Sequence, residues 1–442
     1  MFENTDVLDQ AKAVLKRNDQ KSFTIPAEGL YPHQWLWDSC FIAIGLRHID
    51  IDRAQTELKS LIRGQWSNGM LPHMIFDSSH WYNQDSSIWR SHLSLYAPDD
   101  VNTSGITQPP VLAEAVVKIG EQLSLAERRT WYQQMYPSLL AYHQWLFHER
   151  DPKGDGLVIQ LHPYETGLDS TPPWIDQLDK HYKPWWASLL KATKLDTVVN
   201  LFRRDTRTVP PGQRMDNLHA LLYYDVIRKL RDRHYDIDKI LAKSDFVIAD
   251  LTFNSIFIRA NQHLMDIAKL IHRDPPETLT AKIKLSHNSF EELWDAYSSQ
   301  YYSRNLPTNK LIKEPSIAAL MPLYAGNITK ERAKQLVADL GDEKQFATKY
   351  PVPSVPLNSK YFDPERYWQG PLWLNTNWLI IDGLKRYGYD KHADIIQQKS
   401  IDVVARHSSY EYFNPQDSTP AGAKNFSWTA ALVIDLILDK PK

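Results

Sequence analysis

Cysteine is almost missing from this chain, with one residue, Cys40, in 442. That excludes an internal disulfide framework and a cysteine-rich zinc module, and a single unpaired thiol suits a reducing compartment. Glycine is sparse at 16 residues, and the sequence has no GxGxxG, GxxxxGK, GxSxG or HExxH pattern. The common phosphate-cradling, nucleophile-elbow and zinc-protease signatures are therefore absent. Neither sign of charge is in excess, since 51 Lys+Arg against 53 Asp+Glu leaves a net charge of −2. Such a chain has no surplus of cations to neutralise a nucleic-acid backbone. No apolar run is long enough for a membrane-spanning helix, and the N-terminal segment has no signal-peptide core. A cytoplasmic protein without a membrane or nucleic-acid partner is expected. The 16 histidines are scattered without ligand spacing. Residues 151–156 open like an EF-hand loop, but Lys153 stands at its third position and His162 at its twelfth, where glutamate is required. No metal and no organic cofactor is expected.

What the chain has in quantity is aromatic surface: 15 Trp, 22 Tyr and 14 Phe. Trp and Tyr combine a flat apolar face with a polar edge, which can fill a core, stack on bases or stack on sugar rings. The charge balance disfavours bases. Helical periodicity dominates the pattern, predicting helices over 7–16, 54–66, 110–123, 126–150, 216–233, 244–273, 278–299, 329–340, 371–387, 391–407 and 427–438. Weak strand signals lie at 157–160 and 300–302. Length alone would allow about three domains, yet no linker, charge block or composition shift cuts the chain. The expectation is one all-α domain over 1–442 with helices paired about a common axis. A superhelical solenoid is the competing architecture, but no repeat period is visible. Two aperiodic stretches, 70–108 and 165–211, are rich in Trp, Asp, Pro and Arg. Loops that long are usually functional, and these are expected to cover a pocket mouth.

Four segments concentrate candidate chemistry. Tyr31-Pro32-His33-Gln34-Trp35-Leu36-Trp37-Asp38 runs into the apolar stretch 40–46. Asp38 could simply cap a helix. Two Trp, a Tyr and a Gln at one helix mouth better suit a sugar, whose hydroxyls need hydrogen bonds and whose C–H face needs a ring. His162 to Asp176 carries three carboxylates, Glu165, Asp169 and Asp176, in a stretch stiffened by Gly167 and prolines. Asp176 could be a helix-capping group, whereas Asp169 follows Gly167-Leu168 in a turn that would restrict its rotamers. Glu411 sits between Tyr410 and Tyr412, where partial desolvation would raise its pKa and suit a base. Tyr367-Trp368-Gln369-Gly370-Pro371-Leu372-Trp373 is either aromatic core or a sugar platform. Arg203-Arg204-Asp205-Thr206-Arg207 is a basic patch that could grip a carboxylate bidentately.

Together these segments resemble glycoside hydrolase family 63, especially its branch of glucosylglycerate and mannosylglycerate hydrolases. The resemblance rests on residues 31–45, Thr107-Gln108-Pro109-Pro110, 162–176, 367–378, Glu411-Tyr412-Phe413-Asn414-Pro415 and Phe426-Ser427-Trp428-Thr429-Ala430-Ala431-Leu432, in the family's order. Gln369 stands where arginine is usual, Pro173 replaces a common basic residue, and 416–424 lacks the usual glycine-rich sequence. The resemblance implies an (α/α) six-hairpin barrel and an inverting mechanism, with Asp169 as general acid and Glu411 as general base. Inversion needs two carboxyl groups about 6.5–9.5 Å apart with room for a water. These two are 411 − 169 = 242 positions apart, so the chain must close on itself. By the same resemblance Tyr31, Gln34, Trp35, Trp37, Asp38, Gly167, Leu168, Tyr367, Trp368 and Trp373 contact the sugar, with Gln108 nearby. Arg203 or Arg204 would meet a glycerate carboxylate. The implied activity is hydrolysis of a small α-glycoside, glucosylglycerate first or mannosylglycerate, by an enzyme that could form a homo-oligomer. Another small glucoside such as glucosylglycerol is the alternative. A sugar epimerase or a non-catalytic sugar-binding protein would be further readings, but the histidines fall outside these clusters and both carboxylates are retained.

Overall fold

A computed structural model describes residues 4–77, 84–182, 184, 186–187, 203, 205–244 and 246–439. Twelve of the helices among these residues build the frame. They are α1 (Asn4–Asn18), α2 (Leu36–Leu46), α3 (Ile51–Ile62), α4 (Leu112–Glu121), α5 (Leu125–Glu149), α6 (Leu251–Leu270), α7 (Glu277–Ser289), α8 (Pro322–Ala325), α9 (Lys330–Leu340), α10 (Leu374–Arg386), α11 (Asp390–His407) and α12 (Ser427–Leu438). Their burial alternates. α1 buries one stripe, Val7, Ala11, Val14 and Leu15, and α3 buries Ala54, Leu58 and Leu61. By contrast every residue of α2 is buried, as are residues 427–436 of α12. A helix apolar on all sides belongs in the centre and a striped one outside it. Each fully buried Leu, Ile or Phe on α2 is worth about 1.5–3 kcal/mol.

The packing order follows that alternation. α2 lies against α4, α4 against α6, α6 against α8, α8 against α10, α10 against α12, and α12 returns to α2. Outside them α1 packs on α12, α3 on α2, α5 on α4 and α6, α7 on α6, α9 on α8 and α11 on α10. At the carboxyl end of α2, Arg47 Nη2 donates to Asp435 of α12 at 2.7 Å. At the other end of the layer, Asn18 Nδ2 donates to Ser427 Oγ at 2.8 Å. No helix among the described residues is long and apolar enough to cross a membrane.

Most expected helices are present with small shifts. α5 begins in a capping box formed by Ser124 and Glu127 and runs through Pro137. Three expectations need correction. The helix predicted over 244–273 starts at Leu251, because the Asp250 carboxylate accepts the Phe253 N–H and Ile248–Ala249 pairs instead as a strand with Arg304–Asn305. The one predicted over 278–299 ends at Ser289 in a 3-10 turn and a small hairpin, Trp294–Asp295 with Gln300–Tyr301. The strand expected at 157–160 reduces to a single bridge between Gln160 and Ile248.

The described residues of the two stretches read as loops include regular elements. The first contains the strand Met74–Ile75, paired with Gln34–Trp35, and the helix Gln84–Trp89. The second contains the helices Pro172–His181 and Asp205–Thr208, followed by Asn217–Asp232. Their short helices and dense aromatics hid the period. Most of 183–204 lies outside the described residues.

Candidate active site

A cavity of about 910 Å³ opens at the amino ends of α2 and α12, where Trp37, Asp38 and Trp428 face it. Of the sequence-predicted residues, Tyr31, Trp35, Trp37, Asp38, Gln108, Gly167, Asp169, Arg203, Tyr367, Trp368 and Glu411 line it. Both carboxylates therefore meet in one cavity despite their separation in sequence. Arg204 lies outside the described residues.

Three predicted residues stand behind the wall instead. Gln34 is buried, its Nε2 donating to Ser39 Oγ and to the Glu57 carbonyl and its Oε1 accepting from Ser60. The strand of which it is part turns its side chain toward α3, away from Trp35. Leu168 is 1% exposed and belongs to the core. Trp373 stacks on the back of Trp368 with ring centroids 3.9 Å apart, and its Nε1 donates to the Tyr367 carbonyl. The motif at 367–373 thus splits into a front layer and a supporting layer.

The loop 162–176 sorts its three carboxylates by environment. Glu165 is a strut: it accepts from the Leu161 N–H at 2.6 Å, from the Thr107 N–H at 3.3 Å and from Arg150 Nη2 at 2.8 Å. It thereby ties this loop to Thr107-Gln108, and the Gln108 side chain accepts the N–H of Trp37. Asp176 lies within its helix rather than capping it and pairs with Lys180 at 2.8 Å. Asp169 points into the cavity. Gly167 makes that possible: its φ is +73°, and a Cβ there would come within 2.5 Å of the Trp37 ring. Only glycine satisfies both conditions.

Asp169 is held by two tyrosines. The Tyr367 hydroxyl donates to its Oδ2 at 3.1 Å, and the Tyr223 hydroxyl donates to its main-chain carbonyl. Tyr367 itself has φ +36°, a costly conformation for a non-glycine residue and one that clusters at functional sites. Burial pushes the Asp169 carboxyl up to about 7, with the Tyr367 hydrogen bond and Arg214 pulling down and Glu411 adding to the rise. Asp38 is raised well above the carboxylate range, again chiefly by burial.

Glu411 sits on the strand Tyr410–Phe413, which pairs with Pro420–Lys424. The return strand supplies a donor, Ala423 N–H to Oε2 at 2.8 Å, and Gly422 has no Cβ because one would lie 2.5 Å from Oε2. Tyr31 donates to Oε1 at 2.8 Å. The remaining partner is Arg214, whose Nη1 reaches both carboxylate oxygens at 3.1 and 3.2 Å. Arg214 also donates to the Tyr31 hydroxyl at 2.6 Å and lies 4.1 Å over the Tyr367 ring. Sequence reasoning missed this arginine. It follows Pro210-Pro211-Gly212-Gln213, and a lone charge there reads as solvated. The noticed arginine, Arg203, makes a fork on Asp205 at 3.0 and 2.6 Å and donates to the Met215 carbonyl and Asn217.

The chemistry of this arrangement is that of two buried acids in opposed settings. One is desolvated and hydrogen-bonded by a phenol, the other is charge-paired to a guanidinium. Two carboxyls in settings this different are candidates for separate parts in proton transfer. Among the described residues no group of three or more His, Cys, Asp or Glu side chains is placed to hold a metal ion.

Comparison with known proteins agrees with this geometry. The family model for the mannosylglycerate hydrolase MGH1-like glycoside hydrolase domain matches residues 31–429. A mannosylglycerate hydrolase of Thermus thermophilus is 36% identical over 428 residues, covering 96% of this chain and 99% of that protein. A glucosylglycerate hydrolase of Mycolicibacterium hassiacum is 29% identical over 450 residues, covering 98% of each. A crystal structure of a GH63 mannosylglycerate hydrolase from Thermus thermophilus, in complex with Tris and D-glycerate, superposes with a TM-score of 0.87 at 34% identity, covering 97% of this chain and 99% of that one. The neutral trehalase Nth1 of Saccharomyces cerevisiae shares the fold at 17% identity and a TM-score of 0.58. Two buried carboxylates in one cavity, a family model matched over residues 31–429 and a relative 36% identical over nearly the whole chain place the chain in one group: it belongs to the MGH1-like mannosylglycerate hydrolase family of glycoside hydrolases.

Proposed function

We infer that this enzyme hydrolyses a small α-glycoside of glycerate with inversion, releasing free sugar and glycerate. Asp169 acts as general acid toward the glycosidic oxygen, and Glu411 acts as general base toward the attacking water. The observation that carries this reading is the opposed setting of the two carboxyls, Asp169 bonded by Tyr367 and Glu411 clamped by Arg214. Tyr31, Trp35, Trp37, Asp38, Trp368 and Gln108 form the sugar position. The anionic aglycone is supported by the cations of the wall, Arg203, Arg207 and Arg214, in a cavity lined otherwise by aromatic, aliphatic and acidic side chains with His73 and Gln108. Mannosylglycerate stands ahead of glucosylglycerate as substrate, because the relatives named for it are the more similar ones. The frame is read as an (α/α) six-hairpin barrel, with odd-numbered helices outside and even-numbered helices inside, a reading supported by the order in which the helices pack.

The test is a hydrolysis panel of mannosylglycerate, glucosylglycerate, glucosylglycerol, trehalose and kojibiose. Release of hexose from the two glycerate glycosides at a kcat/KM well above that for the uncharged compounds is the expected result. Preference for glucosylglycerol would remove glycerate from the reading, and a converted but uncleaved sugar would point to epimerisation.

The raised carboxyl makes a pH prediction. An acid must be protonated to work, and Asp169 holds its proton up to about pH 7. Activity should be retained below neutrality and fall as pH rises through about 7, approaching a tenfold loss per unit above it. A pH profile of kcat/KM checks this. A decline already complete by pH 5, where an ordinary aspartate is ionised, would take Asp169 out of the acid role.

A further inference from the structure

The base of this site is fully occupied. Each Glu411 oxygen already accepts two hydrogen bonds, Oε1 from Tyr31 and Arg214 Nη1, Oε2 from the Ala423 N–H and the same Nη1. A carboxylate oxygen has about two acceptor positions. A water that is to lose a proton to Glu411 must donate to one of them, so one partner has to leave. Ala423 is main chain within the hairpin, and Tyr31 is packed edge-on against Trp35 and Phe426. Arg214 is the remaining partner, although it is buried, donates to the Tyr31 hydroxyl at 2.6 Å and lies over the Tyr367 ring, contacts that its departure has to replace. Its only contact with Asp205 is long, Nε to Oδ2 at 3.5 Å, because Arg203 already forks that carboxylate.

We propose that Arg214 is a latch on the base in the empty site, and that the carboxylate of the aglycone draws it off, so that an anionic substrate uncovers its own base. The proposal rests on the glycerate reading above. Arg214 lies over the ring of Tyr367, and the hydroxyl of that ring reaches Asp169. The guanidinium therefore touches the base and also lies against the ring whose hydroxyl bonds Asp169. Moving from Glu411 to a glycerate carboxylate exchanges one charge-assisted partner for another, and no buried cation is left alone. An uncharged aglycone offers no such exchange, so Arg214 stays on the base. Selectivity then resides in the availability of Glu411 as well as in substrate binding.

An α-mannosyl fluoride isolates this step. Water oxygen bonds to C1, the C–F bond breaks, fluoride leaves, and one water proton passes to Glu411, giving the β-sugar. Fluoride needs little help from Asp169, and its small size leaves the aglycone position open for free D-glycerate. In the wild-type enzyme D-glycerate should accelerate fluoride release roughly tenfold, the scale of one charge-assisted hydrogen bond, while glycerol at the same concentration should not. The Arg214→Gln variant should release fluoride faster than wild type without glycerate and show no further acceleration with it. Inhibition or no change on adding D-glycerate to wild type overturns the latch, a result that does not depend on the variant folding. A folded glutamine variant slower than wild type also overturns it, making Arg214 a support of the base. Failure of the glycerate reading looks different: fluoride would still be released, but neither glycerate glycoside would be cleaved.

Discussion

Asp169→Asn is expected to lower kcat on a glycerate glycoside by about 10²–10⁴-fold while leaving the fold and KM nearly intact. That is the range general acid catalysis contributes. An alkoxide leaving group needs its proton in the transition state, and asparagine has none to give at this pH. The substitution is nearly isosteric, so the Tyr367 hydroxyl can still donate to the side-chain oxygen, and the Tyr223 bond to the main-chain carbonyl is untouched. The loss should depend on the leaving group: the same variant should keep most of its wild-type rate on a glycosyl fluoride, which leaves without a full proton. Steady-state kinetics on the two substrates give the ratio. An equal loss on both would mean that Asp169 shapes the sugar position and does not protonate the leaving oxygen.

Glu411→Gln should be the more severe lesion, at least a roughly 10³-fold loss on every substrate, fluoride included. Without a base, water is a poor nucleophile, and an inverting enzyme has no covalent intermediate through which to recover. Glutamine is preferable to alanine because Arg214 is buried beside this residue. Removing its partner outright would leave a buried charge unpaired, a penalty of about 3–5 kcal/mol that would confuse stability with catalysis. The wild-type enzyme supplies the matching positive result. Proton NMR of the first turnover of an α-glycoside should show the β-anomer before mutarotation. Initial release of the α-anomer would recast Glu411 as a nucleophile.

The parts of this molecule that could be read in the sequence are those set by local physics. α12 was bounded correctly because Ser427 to Leu438 is apolar on nearly every side, Asp435 apart, and ends in charge. Asp169 could be singled out because Gly167 and the prolines announce a stiff turn. What could not be read depends on distance. Glu165 and Asp169 look alike in a line of text. They differ in that Arg150 and two main-chain N–H groups converge on the first and a phenol on the second. Trp368 and Trp373 likewise share one motif, yet one faces the cavity and the other stacks behind it. Arg214 was missed for the same reason: it acquires meaning from Glu411, 197 positions away. The start of α6 depended on a cap, Asp250, in a stretch whose apolar period runs on across it.

The return of α12 to α2 bears on how the enzyme is made. The pair Arg47 and Asp435 closes across 388 positions. At about 5–20 residues per second, a ribosome needs roughly 20–80 s to travel that far. Through that interval α2, apolar on all sides, has no α12 to cover it, and the hairpin bearing Glu411 does not yet exist. Local helix pairs can form early, but this contact cannot, and long-range closure is the slow part of folding. A nascent chain of this enzyme therefore carries a hydrophobic helix covered only by its early neighbours α3 and α4 for most of its synthesis, and holdase chaperones should crosslink to it at α2 until α12 emerges.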